Sequence, residues 1–168
     1  CGTVQLDFVM PDRLEATYTD ADGERQNAVM IHRALLGSLE RFTGILIENF
    51  EGHFPLWLAP VQVVATGITD KQNEAVEAFR DTLRAEGLQA EADTRSEKVS
   101  YKIREHSHQK VNYIAVLGDK ELENGTVTYR KLGSDKQTTV SQSDFIAMLK
   151  DEIATKALPD KPEKANAA

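Results

Sequence analysis

The sequence predicts an α/β protein in two parts. A few antiparallel strands closed by a helix come first, and a mixed-sheet unit of alternating strands and helices follows. Three observations carry this reading. Residues 3–10, TVQLDFVM, alternate between apolar and polar side chains, the period of a strand covered on one face. Residues 61–67, VQVVATG, are nearly all apolar, as expected where both faces of a strand are covered. From there on, short apolar runs alternate with segments of helical periodicity.

Each element can be justified in order. Val4, Leu6, Phe8 and Met10 form one face of the first strand, with Thr3, Gln5 and Asp7 on the other. Pro11 and Asp12 break it, Leu14, Ala16 and Tyr18 alternate again, and Asp20-Ala21-Asp22-Gly23 reads as a turn. A third strand is expected from about Ala28 to Arg33, pairing back as a hairpin. Gly37 ends the strand region, and Ser38 can cap a helix to about Asn49, with Leu39, Phe42, Ile45, Leu46 and Phe50 as its stripe. Three strands and one helix make a poor core, which suits part of a larger sheet. His53 to Pro60 reads as a linker, with Trp57 expected to pack on the unit that follows. Thr69 and Gln72 form a capping box, and Val76, Phe79 and Leu83 mark the buried face of a helix ending at Gly87. Strands are expected at 88–93, 113–117 and 126–132, a helix at 98–109, and loops at 118–125 and 133–137. Ser141 with Asp144 caps a last helix carrying Phe145, Met148, Leu149 and Ile153. The alanine-rich tail after Pro159 is expected to fray.

Composition sets limits on function. The chain has 168 residues, 40% hydrophobic and 28% charged, with a net charge of −7. That excludes a disordered chain, and no run approaches the ~20 apolar residues of a membrane span. The lone cysteine, Cys1, excludes an internal disulfide framework and fits a reducing, cytoplasmic setting. No signal peptide opens the chain and no initiator methionine is present, so a longer parent is expected. Residues 1–56 carry 4 basic and 9 acidic side chains, so the acidity belongs mostly to the N-terminal third. Residues 95–110 run against it, with Arg95, Lys98, Lys102, Arg104 and Lys110 beside His106 and His108. The acidic whole argues against nonspecific nucleic-acid binding, DNA included, while leaving room for a patch that positions one RNA. Taken alone, that cluster reads as a solvated helix face.

None of GxSxG, the P-loop, HExxH or GxGxxG occurs. His32 lies on a predicted strand, where spacing alone favours a core histidine over a metal ligand. In Gly37-Ser38-Leu39-Glu40-Arg41 an arginine stands one turn into a helix whose open N–H groups follow a glycine. That arrangement suits a phosphate or nucleotide; an ordinary surface arginine is the alternative.

MIHRALLGSLERF (30–42), preceded by CGTVQLDF (1–8), resembles the end of the catalytic domain of the threonyl-tRNA synthetase family. GSLER is similar to the third signature motif of class II aminoacyl-tRNA synthetases. WLAPVQV (57–63), RSEKVSYKIREHSHQKVNYIAVLGDKE (95–121) and the VTYR ending at Arg130 resemble the anticodon-binding domain that follows it. The resemblance implies that 1–56 closes the catalytic sheet with the motif 3 helix, that 57–158 is a mixed-sheet anticodon-binding domain, and that 159–168 is a flexible tail.

It also implies roles. Arg41 would contact ATP, with Gly37 and Ser38 shaping the nucleotide floor. Thr3 and Gln5 would line the amino-acid pocket, with Cys1 nearby. His32 would be one of three protein ligands of a Zn2+ ion, the others, a cysteine and a histidine, lying upstream. In this family the zinc binds the amino group and hydroxyl of L-threonine, an oxygen ligand that valine lacks. Ser96, Lys98, Glu121 and Arg130 match positions that approach the anticodon of tRNA(Thr), and a hairpin-like return would bring Glu121 and Arg130 to one rim. Ser96 stands where an asparagine is common, and Asn112 where a proline is. The implied parent is a cytoplasmic, homodimeric ligase using ATP with Mg2+; the segment alone is not expected to aminoacylate. The alternative is a non-catalytic RNA- or protein-binding module on the same fold.

Overall fold

The computed structural model describes residues 2–159. Cys1 and residues 160–168 lie outside the described residues, and with them the expectations for Cys1 and for the tail beyond Pro159. The chain divides into two compact units, one over Cys1–Asn49 and one beginning at Phe50.

The first unit holds β1 (Thr3–Asp7), α1 (Met10–Arg13), β2 (Thr17–Thr19), β3 (Arg25–Asn27), β4 (Met30–Ala34) and α2 (Leu39–Phe50). The strand expected through Met10 stops at Asp7. Its Oδ1 accepts the N–H groups of Val9 and Met10, both at 2.9 Å, and turns the chain into α1. Pro11 sits in the first turn of α1, where its missing N–H costs nothing. The strand expected over 28–33 forms as β4, shifted to 30–34, and a further short strand, β3, precedes it. β3 returns on β2 across a turn held by Asp20 Oδ1, and β4 pairs antiparallel with β1. Among the described residues of this unit only Pro11 is buried. Val4, Leu6 and Ile31 stay 60–65% exposed on one open apolar face.

The second unit begins with a 3-10 turn at Leu56–Leu58. β5 (Val63–Gly67), a 3-10 turn at Asp70–Gln72, α3 (Asn73–Ala85), β6 (Ala90–Asp93), α4 (Val99–His108) and β7 (Tyr113–Leu117) follow. α5 (Asp119–Asn124), β8 (Thr126–Lys131), β9 (Gln137–Ser141) and α6 (Gln142–Ala154) complete it. The sheet order is β6-β5-β7-β8-β9, with β6, β5 and β7 parallel and β8 and β9 antiparallel. The Thr69–Gln72 capping box forms, and Ser141 Oγ accepts the Asp144 N–H at 3.0 Å to start α6. Two segments differ from expectation. Residues 119–124 are helical, because Glu121 reaches back to the Gly118 N–H at 3.0 Å and Gly125, at φ +63°, closes the turn. Residues 137–141 form β9, a strand of threonine and glutamine that no apolar run announces.

α3 and α6 cover one face of the sheet and build the core there with Val63, Ala65, Tyr113, Ala115 and Val127. Phe145 stands at its centre, its ring 5.1 Å from Tyr129, 6.0 Å from Tyr113 and 6.4 Å from Phe79. At the unit's entrance Leu56, not Trp57, is the buried residue; Trp57 is 38% exposed. Phe145→Ala is therefore expected to cost about 3–5 kcal/mol, and Trp57→Ala less than about 1 kcal/mol, in urea denaturation followed by circular dichroism.

Candidate nucleic-acid interface

The connections of the second unit decide which face is open. β5 leads through α3 outward to β6, and β6 returns through α4 across β5 to β7. Right-handed crossovers in opposite directions put α3 and α4 on opposite faces and make β5 and β7 a topological switch point. α4 packs on β5 and β7. Strand alternation and register then define two rows on its side of the sheet. One runs Asp93, Thr66, Val116, Thr128, Thr139; the other Glu91, Val64, Ile114, Arg130, Gln137.

Where β8 and β9 extend past α4 the face opens into a cleft of about 480 Å³. Ile68, Val99, Ile103 and Val116 give it an apolar floor, and Glu121 and Arg130 both line it. The two carboxylate oxygens of Glu121 accept from the Gly118 N–H at 3.0 Å and the Thr128 hydroxyl at 2.9 Å. A Cβ on Gly118 would lie 2.8 Å from Glu121 Oε2 and 2.6 Å from Ile68 Cδ1, so glycine is what lets the carboxylate sit there. Arg130 donates from Nε to the Ser134 carbonyl at 2.8 Å and from Nη2 to Asp135. Both bonds use one edge of the guanidinium. Nη1 has no partner among the described residues, so the Nη1/Nη2 end is the one that can still meet a planar acceptor pair.

The loop from β6 into α4 is anchored by Asp93, whose side chain is 4% exposed. Its carboxylate accepts from Arg95 Nε at 3.0 Å, Arg95 Nη2 at 2.7 Å and His106 Nε2 at 2.8 Å. Its carbonyl accepts from Lys102 Nζ at 3.1 Å and Thr66 Oγ1 at 3.2 Å. Arg95 also pairs with Glu105 at 2.9 Å. The basic stretch is solvated only in part: Arg95, Lys98, Arg104, His108 and Lys110 are exposed, while Lys102 and His106 are buried against the sheet. Lys98, exposed at the N-cap of α4, and Ser96, bonded to Asp70 at 2.9 Å, stand on the loop that this cluster holds.

In the first unit the register sets Gln5 opposite His32 and Thr3 opposite Ala34, so Thr3, Gln5 and His32 share one face of the β1–β4 pair. His32 Nε2 lies 3.2 Å from Asp7 Oδ2. Hydrogen bonds from the Met10 and Val9 amides, and then from His32, hold the Asp7 carboxyl below its usual range. Among the described residues no three histidine, cysteine, aspartate or glutamate side chains come together as a metal site. Gly37, at φ +70°, adopts a backbone that glycine favours, and Ser38 Oγ caps α2 by accepting the Arg41 N–H at 3.2 Å. Arg41 is exposed one turn in.

Residues 60–152 match the family described as the anticodon binding domain. The chain belongs to that family. Residues 1–50 match the tRNA synthetase class II core domain (G, H, P, S and T). Similar proteins include the threonine–tRNA ligases of Caulobacter sp. (strain K31), 53% identical over 152 residues, and Teredinibacter turnerae, 53% identical over 154 residues. These alignments cover 90% and 92% of this chain but 23% and 24% of the relatives, so the chain spans about a quarter of their length. A crystal structure of the RNA binding domain of threonyl-tRNA synthetase from Cryptosporidium parvum Iowa II superposes with a TM-score of 0.74 at 31% identity. It covers 90% of this chain and 38% of that one.

In this anticodon-binding domain sequence reasoning missed Asp93 and the buried partners Lys102 and His106. A signal existed: an acidic residue ending a strand, with cations two and nine residues on. Arg95's hydrogen bonds, and after them His106's, hold the Asp93 carboxyl well below the usual carboxylate range despite its burial. A depressed carboxylate adds stability that is present above its unfolded value of about 4 and is lost as pH falls toward the folded value. Asp93→Asn should cost about 3 kcal/mol at pH 7, because Lys102 keeps its bond to the residue 93 carbonyl but loses its buried counter-charge. The loss of stability between about pH 5 and pH 2 should be smaller in the variant than in the wild type, as read by urea midpoints across that range.

Proposed function

We propose that this chain is the C-terminal part of a threonine–tRNA ligase, in which residues 1–56 close a class II catalytic domain and 57–158 grip the anticodon of the threonine tRNA. The observation that carries this reading is the cleft shared by Glu121 and Arg130, beside the loop bearing Ser96 and Lys98. Its apolar floor suits a base plane. The guanidinium end carrying the unpartnered Nη1 suits a guanine edge, and the carboxylate suits base amino or imino donors. Lys98, exposed at the helix start, suits a phosphate.

The first unit supports the other half of the reading. Its open apolar face suits a sheet that continues in the rest of a catalytic domain. Gly37, Ser38 and Arg41 stand where the helix start and a guanidinium can hold the polyphosphate of ATP, taken with Mg2+. Thr3, Gln5 and His32 face one side, as residues of an amino-acid pocket would. His32 is a chemically suitable zinc ligand, and the three-ligand site requires a cysteine and a histidine from beyond the described residues. When bound there, zinc supplies an electrophilic centre for the amino group and hydroxyl of threonine. The complete ligase acts as a homodimer in the cytoplasm on this reading.

Two measurements test it. Arg130→Ala should cost about 1–3 kcal/mol of affinity for an anticodon stem-loop and relax discrimination at one anticodon position, while Lys98→Ala should lower the salt slope with little change in preference. Equal losses on every stem-loop would reduce Arg130 to a phosphate anchor. In the complete enzyme, Arg41→Ala should lower ATP–pyrophosphate exchange by about a hundredfold or more with tRNA affinity retained. Near-normal exchange would remove Arg41 from the ATP site.

A further inference from the structure

We infer that Thr128 is a positioning residue for Glu121, and that the Thr139–Thr128 hydroxyl pair fixes how the cleft presents that carboxylate to a base. This rests on the reading of the cleft as a base site. Thr128 and Thr139 are directly opposite on β8 and β9, and their hydroxyl oxygens are 2.8 Å apart. Thr128 Oγ1 is also 2.9 Å from Glu121 Oε1.

The proton count gives this chain a direction. A carboxylate only accepts, and a threonine hydroxyl has one proton to give. Thr128 must therefore donate to Glu121, and Thr139 must donate to Thr128. Glu121 is then held at both ends, with Oε1 accepting from Thr128 and Oε2 from the Gly118 N–H at 3.0 Å. Each oxygen keeps a further acceptor site, and two acceptors side by side suit two neighbouring N–H donors on a base edge. The positions of these groups are set by rigid elements: Thr128 and Thr139 by the sheet, and Gly118 by the end of β7, where the Ile68 N–H bonds to the Leu117 carbonyl at 3.3 Å. Without the Thr128 hydroxyl the carboxylate can rotate about its single remaining tether. Its strength as an acceptor survives, but its aim does not.

The test uses the full chain and anticodon stem-loops of a threonine tRNA that differ at single anticodon positions. Thr128→Val keeps the β-branched shape that a strand favours and removes only the hydroxyl. It should reduce discrimination about tenfold at the position that Glu121→Gln also relaxes, and leave the other positions unchanged. Thr128→Ser should restore wild-type ratios, and Thr128→Val should add nothing in the Glu121→Gln background. Unchanged ratios in Thr128→Val, with Glu121→Gln still relaxing one position, would overturn the positioning role and leave the base site standing. Equal weakening of every stem-loop by Thr128→Val would make the hydroxyl merely structural and overturn it too. Unchanged ratios in Glu121→Gln would overturn both the role of Glu121 and this inference.

Discussion

One buried carboxylate ties the β6–α4 loop and α4 to the sheet. Asp93 ends β6 at the point where the chain must turn into α4; Arg95 and His106 donate to its carboxylate, while Lys102 bonds its carbonyl and stands 3.9 Å from the carboxylate as a counter-charge. A charge taken out of water there is tolerable only because each exposed lone pair finds a donor. The geometry has a consequence beyond stability. Arg95 comes from the loop, while Lys102 and His106 come from successive turns of α4, so loop and helix share one anchor on the sheet. Ser96 and Lys98 stand between those anchored points, and their backbone has little freedom left. A hydrophobic cluster of the same volume would hold α4 as firmly, but without fixing the direction of the loop.

The sheet carries that constraint to the cleft. Asp93, Thr66, Val116, Thr128 and Thr139 form one row across all five strands, on the face that α4 covers only in part. The opposing crossovers that put α3 and α4 on different faces also leave the β8–β9 half of this face open. The result is an apolar floor flanked by one carboxylate and one guanidinium, both tethered by the protein and each with hydrogen-bonding capacity to spare. On the proposed reading such a surface would recognise by orientation as much as by charge, which would reconcile a net charge of −7 with a site for a polyanion.

What the sequence made legible follows from period and local chemistry. The Thr69–Gln72 box and the Ser141 cap depend on neighbours three residues apart, and both form as read. The apolar run of β5 and the stripe Val76, Phe79, Leu83 reflect full burial, which hydrophobic periodicity reports well. β9 escaped because a threonine-rich strand at a sheet edge has no apolar period, and α5 because its cap is a backbone bond to Glu121. Lys102 and His106 read as solvated because their burial depends on Asp93, nine and thirteen residues away. In the site, Glu121 and Arg130 could be singled out by residue type and resemblance. The Thr128 and Gly118 tethers could not, since they arise only from strand register and a tight turn.

The most direct test of the α4-side face as the RNA surface is amide hydrogen exchange of the full chain with and without an anticodon stem-loop of a threonine tRNA. Added protection is expected over the 94–104 loop and helix start, at 118–121, and along 128–139, with α3 and α6 unchanged. Protection centred on α3 and α6, with the cleft exchanging as in the free protein, would contradict it.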